Sequence, residues 1–361
     1  MIGLRATVLL AAAWSALFVV GWALAAPAAT GGECGVRVHG VLPICGLQSP
    51  EDLERLPGGR ELLVSEFGGL ASGPGRLSAL DMKSRTVRRL YPENALRGEK
   101  KWGDAGCPRE PGAEFSPHGI HLSRRSDGQW QLLVVNHGGR ESIEIFALEH
   151  ARTGVALAWR GCVPAEGDAF LNDVVALPDG GFLVTVMMKR GDSGALARAY
   201  RGEHTGYVLR WHPQAGWSRL PGSDGAMPNG IQTDARARYA FVAATGSNEV
   251  IKLSLPDGAR LGAAATAHPD NLSWTRDGRL LATGMNDLGD LTVLRCDTGD
   301  EPECFVPSHV DAIDPQTLRV RRLFAYGNRE LHPASIGLLV GPRLYVGSYA
   351  GDRLLEVTLA H

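Results

Sequence analysis

At one phase of an internal repeat this chain places Glu51, His118, Asn172, Asn229, the pair Asp270 and Asn271, and Ser335. Each stands at the head of a short apolar run. Taken singly, an Asn or Asp before a strand is a turn residue, because its side chain bonds to nearby backbone. Three amides and two acids at matching positions form a pattern that turn chemistry does not require. They offer hard oxygen donors and no sulfur, which suits Ca²⁺ in a roomy ring better than Zn²⁺. Glu51 and Asp270 would bring two formal negative charges to such an ion.

A second acid follows two of these heads, Asp52 after Glu51 and Asp173 after Asn172. Neighbours along a strand point to opposite faces. These acids therefore either reach a second, deeper ion with help from backbone carbonyls, or bond to backbone N–H groups and water. Two histidines complete the set: His118 in Ser116-Pro117-His118-Gly119-Ile120 and His137 in Val134-Val135-Asn136-His137-Gly138. One begins a strand and the other ends its antiparallel neighbour, so both belong to the same end of one hairpin. Beside a metal ring such a pair is a candidate general base with a supporting partner.

The elements that must position these residues are short strands. Residues 172–185 read as a polar pair, an apolar strand, an Asp-Gly turn and a second apolar strand, which is a hairpin signal. The pattern returns with heads at Glu51, His118, Asn229, Asp270 and, more weakly, Ala334-Ser335. A second hairpin follows each copy, as where residues 77–81 turn into 86–90 and residues 310–314 into 318–323. Six copies at roughly forty- to seventy-residue spacing predict an all-β, six-bladed β-propeller of four-stranded blades. The last copy lacks a fourth strand, and residues 36–41 are placed to supply it, closing the ring and removing two exposed edges.

Residues 1–29 fall outside that fold. Arg5 precedes an apolar run over residues 8–25, and small residues at Ala23 and Ala25 suit a signal peptidase. Pro27 disfavours cleavage after Ala26, leaving Ala25 or Ala28, and an uncleaved anchor is the alternative. Either way residues 30–361, the propeller, lie outside the cytosol, secreted or periplasmic. Six cysteines, none in a Cys-x-x-Cys pair, agree with disulfides rather than zinc or redox sites. They can pair in many ways; short loops favour Cys34–Cys45 and Cys296–Cys304, leaving Cys107 with Cys162. A net charge of −2 with both signs scattered gives no nucleic-acid footprint. Arg88-Arg89 and Arg321-Arg322 read as solvated outer strands. Residues 91–116 and 285–308 interrupt the repeat as stapled surface loops.

The motifs resemble those of the paraoxonase family of calcium-dependent lactonases and arylesterases. The segments that carry the resemblance are Glu51-Asp52-Leu53-Glu54-Arg55-Leu56-Pro57, Pro117-His118-Gly119-Ile120, Leu132-Leu133-Val134-Val135-Asn136-His137, Leu171-Asn172-Asp173-Val174-Val175-Ala176, Asn229-Gly230-Ile231 and Asp270-Asn271-Leu272-Ser273. They keep the family's order over nearly all of the chain after the leader. The resemblance implies a catalytic calcium on Glu51, Asn172, Asn229, Asp270 and Asn271. It implies a structural calcium on Asp52, Asp173 and the backbone carbonyl of Ile120, and a histidine dyad of His118 and His137.

Three departures limit the transfer. The strand at residues 354–359 has no cysteine, so the family's disulfide between the termini is missing. Residues 189–205, where the family has an amphipathic lipid-docking helix, are short and charged, which leaves membrane contact to the N-terminal segment. Residues 67–76, part of the family's pocket wall, are Gly-rich and different. The expected activity is hydrolysis of carboxylic esters, lactones first, with calcium at the oxyanion and a histidine-activated water. The sequence has no Gly-x-Ser-x-Gly nucleophile motif. Two alternatives stand beside it: a sugar-lactone hydrolase of the gluconolactonase kind, and a non-catalytic propeller that calcium merely stabilises.

Overall fold

The structure, a computed structural model, describes residues 33–69, 73–151, 154–255, 257–286, 292–298 and 304–359. The expected leader at residues 1–29 lies outside them. Six four-stranded antiparallel sheets follow one another along the chain as the blades of a β-propeller. Blades one to five each use four consecutive strands, and their inner strands are Pro50–Arg55, Pro117–Arg124, Ala169–Ala176, Pro228–Thr233 and Pro269–Trp274. Blade six begins with Ala334–Val340 and is completed by Val41–Cys45, which pairs antiparallel with Arg353–Thr358.

Closure by an N-terminal strand is as the repeat requires, but the strand lies further along than residues 36–41. Positive φ at His39 and Gly40 turns the chain, and Val38 bridges only to Val41. Val41, Leu42 and Ile44 are the residues that bury, whereas Val36 is exposed. An apolar residue at every second position looks the same in a tight turn as in a strand. The disulfide Cys34–Cys45 folds the turn back on the closing strand. Cys107–Cys162 and Cys296–Cys304 are the other two pairs, and disulfides of this kind belong to chains that fold in an oxidising, extracytoplasmic compartment.

Stability comes from the faces between blades. Leu133, Val135, Ile143 and Ile145 of blade two pack against Leu171, Val174, Val184 and Val186 of blade three, and each following pair repeats the arrangement. At about 1.5–3 kcal/mol for each fully buried aliphatic side chain, these faces leave the inner strands free to carry polar groups. Every inner strand uses that freedom in the same way. Its register with the second strand breaks at the head residues, between Pro50 and Asp52, Pro117 and Ile120, Leu171 and Val174, Pro228 and Ile231, Pro269 and Leu272, and Ala334 and Gly337. A bulge frees the heads from the ladder and re-aims their side chains. Four bulges start at proline, which suits a strand at the inner edge of its sheet, where no ladder N–H is needed.

The freed backbone is tied across blades. Hydroxyls of Ser65, Thr185, Thr245 and Ser335 each donate at 2.6 Å to the carbonyl of His118, Asn229, Pro269 and Glu51 in the next blade. Gly119 and Gly230 permit this closeness, since a Cβ there would lie 2.6 and 2.7 Å from the Cα of Asp173 and of Asn271. The outer arginine clusters are not free: Arg88 pairs with Glu61, Arg89 with Glu66 and Arg322 with Asp311.

Among the described residues two short α-helices, α1 (Ala195–Ala199) and α2 (Thr292–Thr298), interrupt the loops. α1 falls within the short, charged stretch at residues 189–205, and it packs Ala195 and Ala199 with Tyr200 against Met187, Met188 and Met227. Among the described residues no helix is long and apolar enough to cross a membrane.

Thr185 Oγ1 both accepts from the Asp173 N–H at 3.0 Å and donates to Asn229. Thr185→Val keeps the shape and strands both partners, so urea unfolding should show a loss of about 1–3 kcal/mol. An unchanged unfolding midpoint would contradict the stitching of heads across blades.

Candidate active site

The bulges deliver Glu51, His118, Asn172, Asn229 and Asp270 to the wall of one half-open cavity, about 460 Å³ including the part open to solvent. All five are buried. Asn271 stands behind them and donates its amide to Glu51 Oε1 at 2.5 Å. Ser335, the sixth head, takes no place in the wall and instead bonds to the Glu51 carbonyl.

Four buried oxygens of this set have no donor: Glu51 Oε2, Asn172 Oδ1, Asn229 Oδ1 and Asn271 Oδ1. Native proteins rarely leave buried polar atoms unpaired, and here the orphans are all acceptors, gathered from four different blades. Among the described residues no group of three or more His, Cys, Asp or Glu side chains is set to hold a metal ion. An ion at this site would therefore depend on the amide oxygens, a donor set that suits a hard cation such as Ca²⁺. Burial, with repulsion from Asp52, Asp270 and Asp173, pushes the Glu51 carboxyl well above its usual range. The protein alone thus supplies too little positive charge for the acids it buries here.

The deeper acids are arranged differently. Asp52 accepts from the Leu53 and Ile120 N–H groups at 2.7 and 2.8 Å. Asp173 accepts from the Val174 and Ile231 N–H groups at the same distances. Each carboxylate thereby ties its own bulge to the next blade, and what Ile120 offers Asp52 is its N–H. Burial moves Asp52 up to about 7 and, with repulsion from Asp52, moves Asp173 well above its usual range. Glu54, two residues further along the strand and partly exposed, is pushed up to about 8 by burial of its carboxyl. That residue was not singled out by the repeat.

His118 and His137 meet as the hairpin geometry requires, with Nδ1 of His118 2.9 Å from Nε2 of His137. His118 Nε2 lies 3.6 Å from Glu51 Oε1. Burial, reinforced by the neighbouring imidazole, holds His118 well below its usual value, and burial with the Arg190 charge holds His137 at about 3. Both rings are neutral near pH 7. Phe67 stacks flat on His118 at 4.3 Å between centroids, and Phe170 stacks on His137 at 4.5 Å. The described part of the Gly-rich stretch at residues 67–76 thus gives the wall Phe67.

The rest of the wall is Met187, Met227, Met285 and Leu196, with Tyr200, Tyr349 and Thr245 adding hydroxyls among them. Three of the six methionines in the chain are here. Each stands at a strand end or just before a head, a position that marks them for the cavity mouth, but methionine alone carries no chemical signal. Glu141, whose carboxylate sits 2.9 Å from His137 Nδ1, was also missed, because it follows in a turn outside the repeat.

The sequence matches no family profile and no curated protein. Among solved structures, a gluconolactonase from Xanthomonas campestris gives a TM-score of 0.52 at 16% identity, over 89% of each chain. A PQQ-bound aldose sugar dehydrogenase from Streptomyces coelicolor gives 0.53 at 16% identity, over 92% of this chain and 99% of that one. A luciferin-regenerating enzyme gives 0.54 at 13%, over 88% and 95%. At such identities the likeness is one of fold, and neighbours with three different activities leave function to the site. The paraoxonase resemblance rests on the sequence segments alone.

The buried acids have a consequence for stability. A carboxyl whose folded pKa is raised favours the fold only while protonated. For Asp52 and Glu54, that contribution is complete below about pH 4 and is lost as pH rises through about 7 and 8. Chelated protein should melt lower at about pH 9 than at about pH 5, and added Ca²⁺ should remove most of the difference. Equal melting temperatures in chelator at the two pH values would contradict this.

Proposed function

We propose that this protein is a calcium-dependent hydrolase of carboxylic esters, chiefly lactones and secondarily aryl esters, in the manner of the paraoxonases its motifs resemble. The observation that carries the reading is the set of four donorless buried oxygens on Glu51, Asn172, Asn229 and Asn271, beside a neutral histidine on the same cavity. Glu51, Asn172, Asn229, Asp270 and Asn271 would hold the catalytic ion. Asp52 and Asp173 would serve a second, structural ion, with Ile120 beside them. A bound calcium ion would supply positive charge for the carbonyl oxygen of an ester and for the oxyanion that develops on it.

The remaining work falls to this chain's own side chains. His118 faces the cavity through Nε2 and accepts the proton of the attacking water. Its Nδ1 contact with His137 and the stacked Phe67 ring fix the direction of that lone pair. The burial that keeps His118 neutral keeps it able to accept. Met187, Met227, Met285, Leu196 and Tyr200 exclude water from the group attached to the carbonyl. The methionine and leucine side chains of that wall offer the hydroxyls of a sugar ring no partner, which favours lactones with apolar substituents and aryl esters over sugar lactones. The protein's partner is thus a small apolar ester, met outside the cytosol if residues 1–29 direct export.

A panel of alkyl lactones, sugar lactones and aryl esters, each with and without chelator, tests the reading. The expected result is hydrolysis of alkyl lactones that chelator abolishes and calcium restores. His118→Gln should lower that turnover about a hundredfold or more at unchanged calcium content. Absence of hydrolysis across the panel, full activity in chelator, or near-normal turnover in His118→Gln would overturn it.

A further inference from the structure

Glu141 lies in the turn after His137, with its side chain 9% exposed against 0% for that of His137. Its carboxylate receives three groups. His137 Nδ1 stands 2.9 and 3.1 Å from its two oxygens, the Leu171 N–H donates at 2.7 Å, and Arg190 pairs with it from the segment leading to α1. Its own carbonyl accepts from the Ala165 N–H at 3.0 Å. The residue is therefore fixed at both backbone and side chain.

These contacts determine where the imidazole protons sit. An ionised carboxylate only accepts, so His137 Nδ1 must carry a proton. The ring is neutral, which leaves His137 Nε2 with its lone pair. That nitrogen faces His118 Nδ1 at 2.9 Å, and so His118 Nδ1 must be the donor. The one nitrogen left as an acceptor is His118 Nε2, on the Glu51 side of the cavity. With the opposite tautomer of His137, Nδ1 would turn a lone pair toward the carboxylate. Nε2 would then donate to His118, whose Nε2 would become a donor and lose its basic character.

The second contact reaches the ring. Leu171 precedes Asn172, and its N–H is at the bulge where register with the second strand of blade three is lost. Glu141 supplies the acceptor that the interrupted ladder no longer provides there. Phe170, stacked on His137, comes from the same bulge.

We propose that Glu141 is the positioning residue of this site, ordering both histidines into the tautomeric chain that leaves a basic nitrogen facing the ring, and anchoring the bulge that presents Asn172. The catalytic consequence rests on the hydrolase reading; the tautomer order does not. A simple ion pair with Arg190 near the surface would contribute little and would leave tautomers untouched. In Glu141→Gln a single acceptor oxygen is contested by Leu171, Arg190 and His137, so the order weakens while the volume is kept. Arg190→Gln leaves the carboxylate in place and serves as the control.

The test is nitrogen NMR on full-length protein with ¹⁵N-labelled histidine, joined to lactone kinetics. Wild type and Arg190→Gln should show His118 and His137 protonated at Nδ1. Glu141→Gln should show a rising share of His137 protonated at Nε2, with kcat lowered tenfold or more and KM within about twofold. His137 protonated at Nε2 in the wild type, or Glu141→Gln with unchanged tautomers and kcat, would overturn the proposal. If no ester is hydrolysed at all, the hydrolase reading falls while the nitrogen shifts still decide the role of Glu141.

Discussion

A buried oxygen that has lost its water and found no donor costs about 1–3 kcal/mol unless something positive takes the water's place. This protein gathers four buried oxygens that no donor of its own reaches, on Glu51, Asn172, Asn229 and Asn271, beside the further carboxylate of Asp270. The inner strands serve that arrangement. Each breaks its ladder at the head, and the hydroxyls of Ser65, Thr185, Thr245 and Ser335 then bind the carbonyls that the break exposes. The apolar faces between blades hold the ring against the mutual repulsion of Glu51, Asp52, Asp173 and Asp270. Rigidity in the blades and unmet demand at the axis are therefore two sides of one design.

The same environment determines what the histidines can do. Low dielectric strengthens every charge interaction inside it, and it holds His118 and His137 neutral. Two phenylalanine faces and the Glu141 carboxylate leave the pair little rotational choice. An imidazole so confined acts in one direction, toward the cavity that the ring lines. The wall around it is rich in methionine, whose thioether side chains adapt to apolar shapes.

Much of this was legible in the sequence, because a propeller writes its axis into a repeat. Glu51, Asn172, Asn229 and Asp270 share one phase of a strand pattern, and strand alternation carries that phase directly into geometry. His118 and His137 were legible for the same reason, as opposite ends of one hairpin. Other parts depend on contacts between segments that no local pattern links. Glu141 lies in a turn and acts on Leu171 in the next blade. Asp52 and Asp173 read as ligands or as backbone partners with equal ease, and their bonds to Ile120 and Ile231 emerge only once neighbouring blades meet. The closing strand was misplaced by a few residues because a turn at His39 and Gly40 leaves no mark in apolar alternation. A further signal in the sequence is the proline before four of the heads, at Pro50, Pro117, Pro228 and Pro269. It marks an inner edge strand about to bulge.

A crystal structure of the full propeller grown in calcium chloride decides whether the donorless oxygens form a single cation site. One strong density peak is expected in the cavity, contacted by Glu51, Asn172, Asn229, Asp270 and Asn271 at about 2.3–2.6 Å. Soaking the crystal in chelator should remove the peak. A cavity holding only water at saturating calcium, with those oxygens bonded to it, would contradict the account.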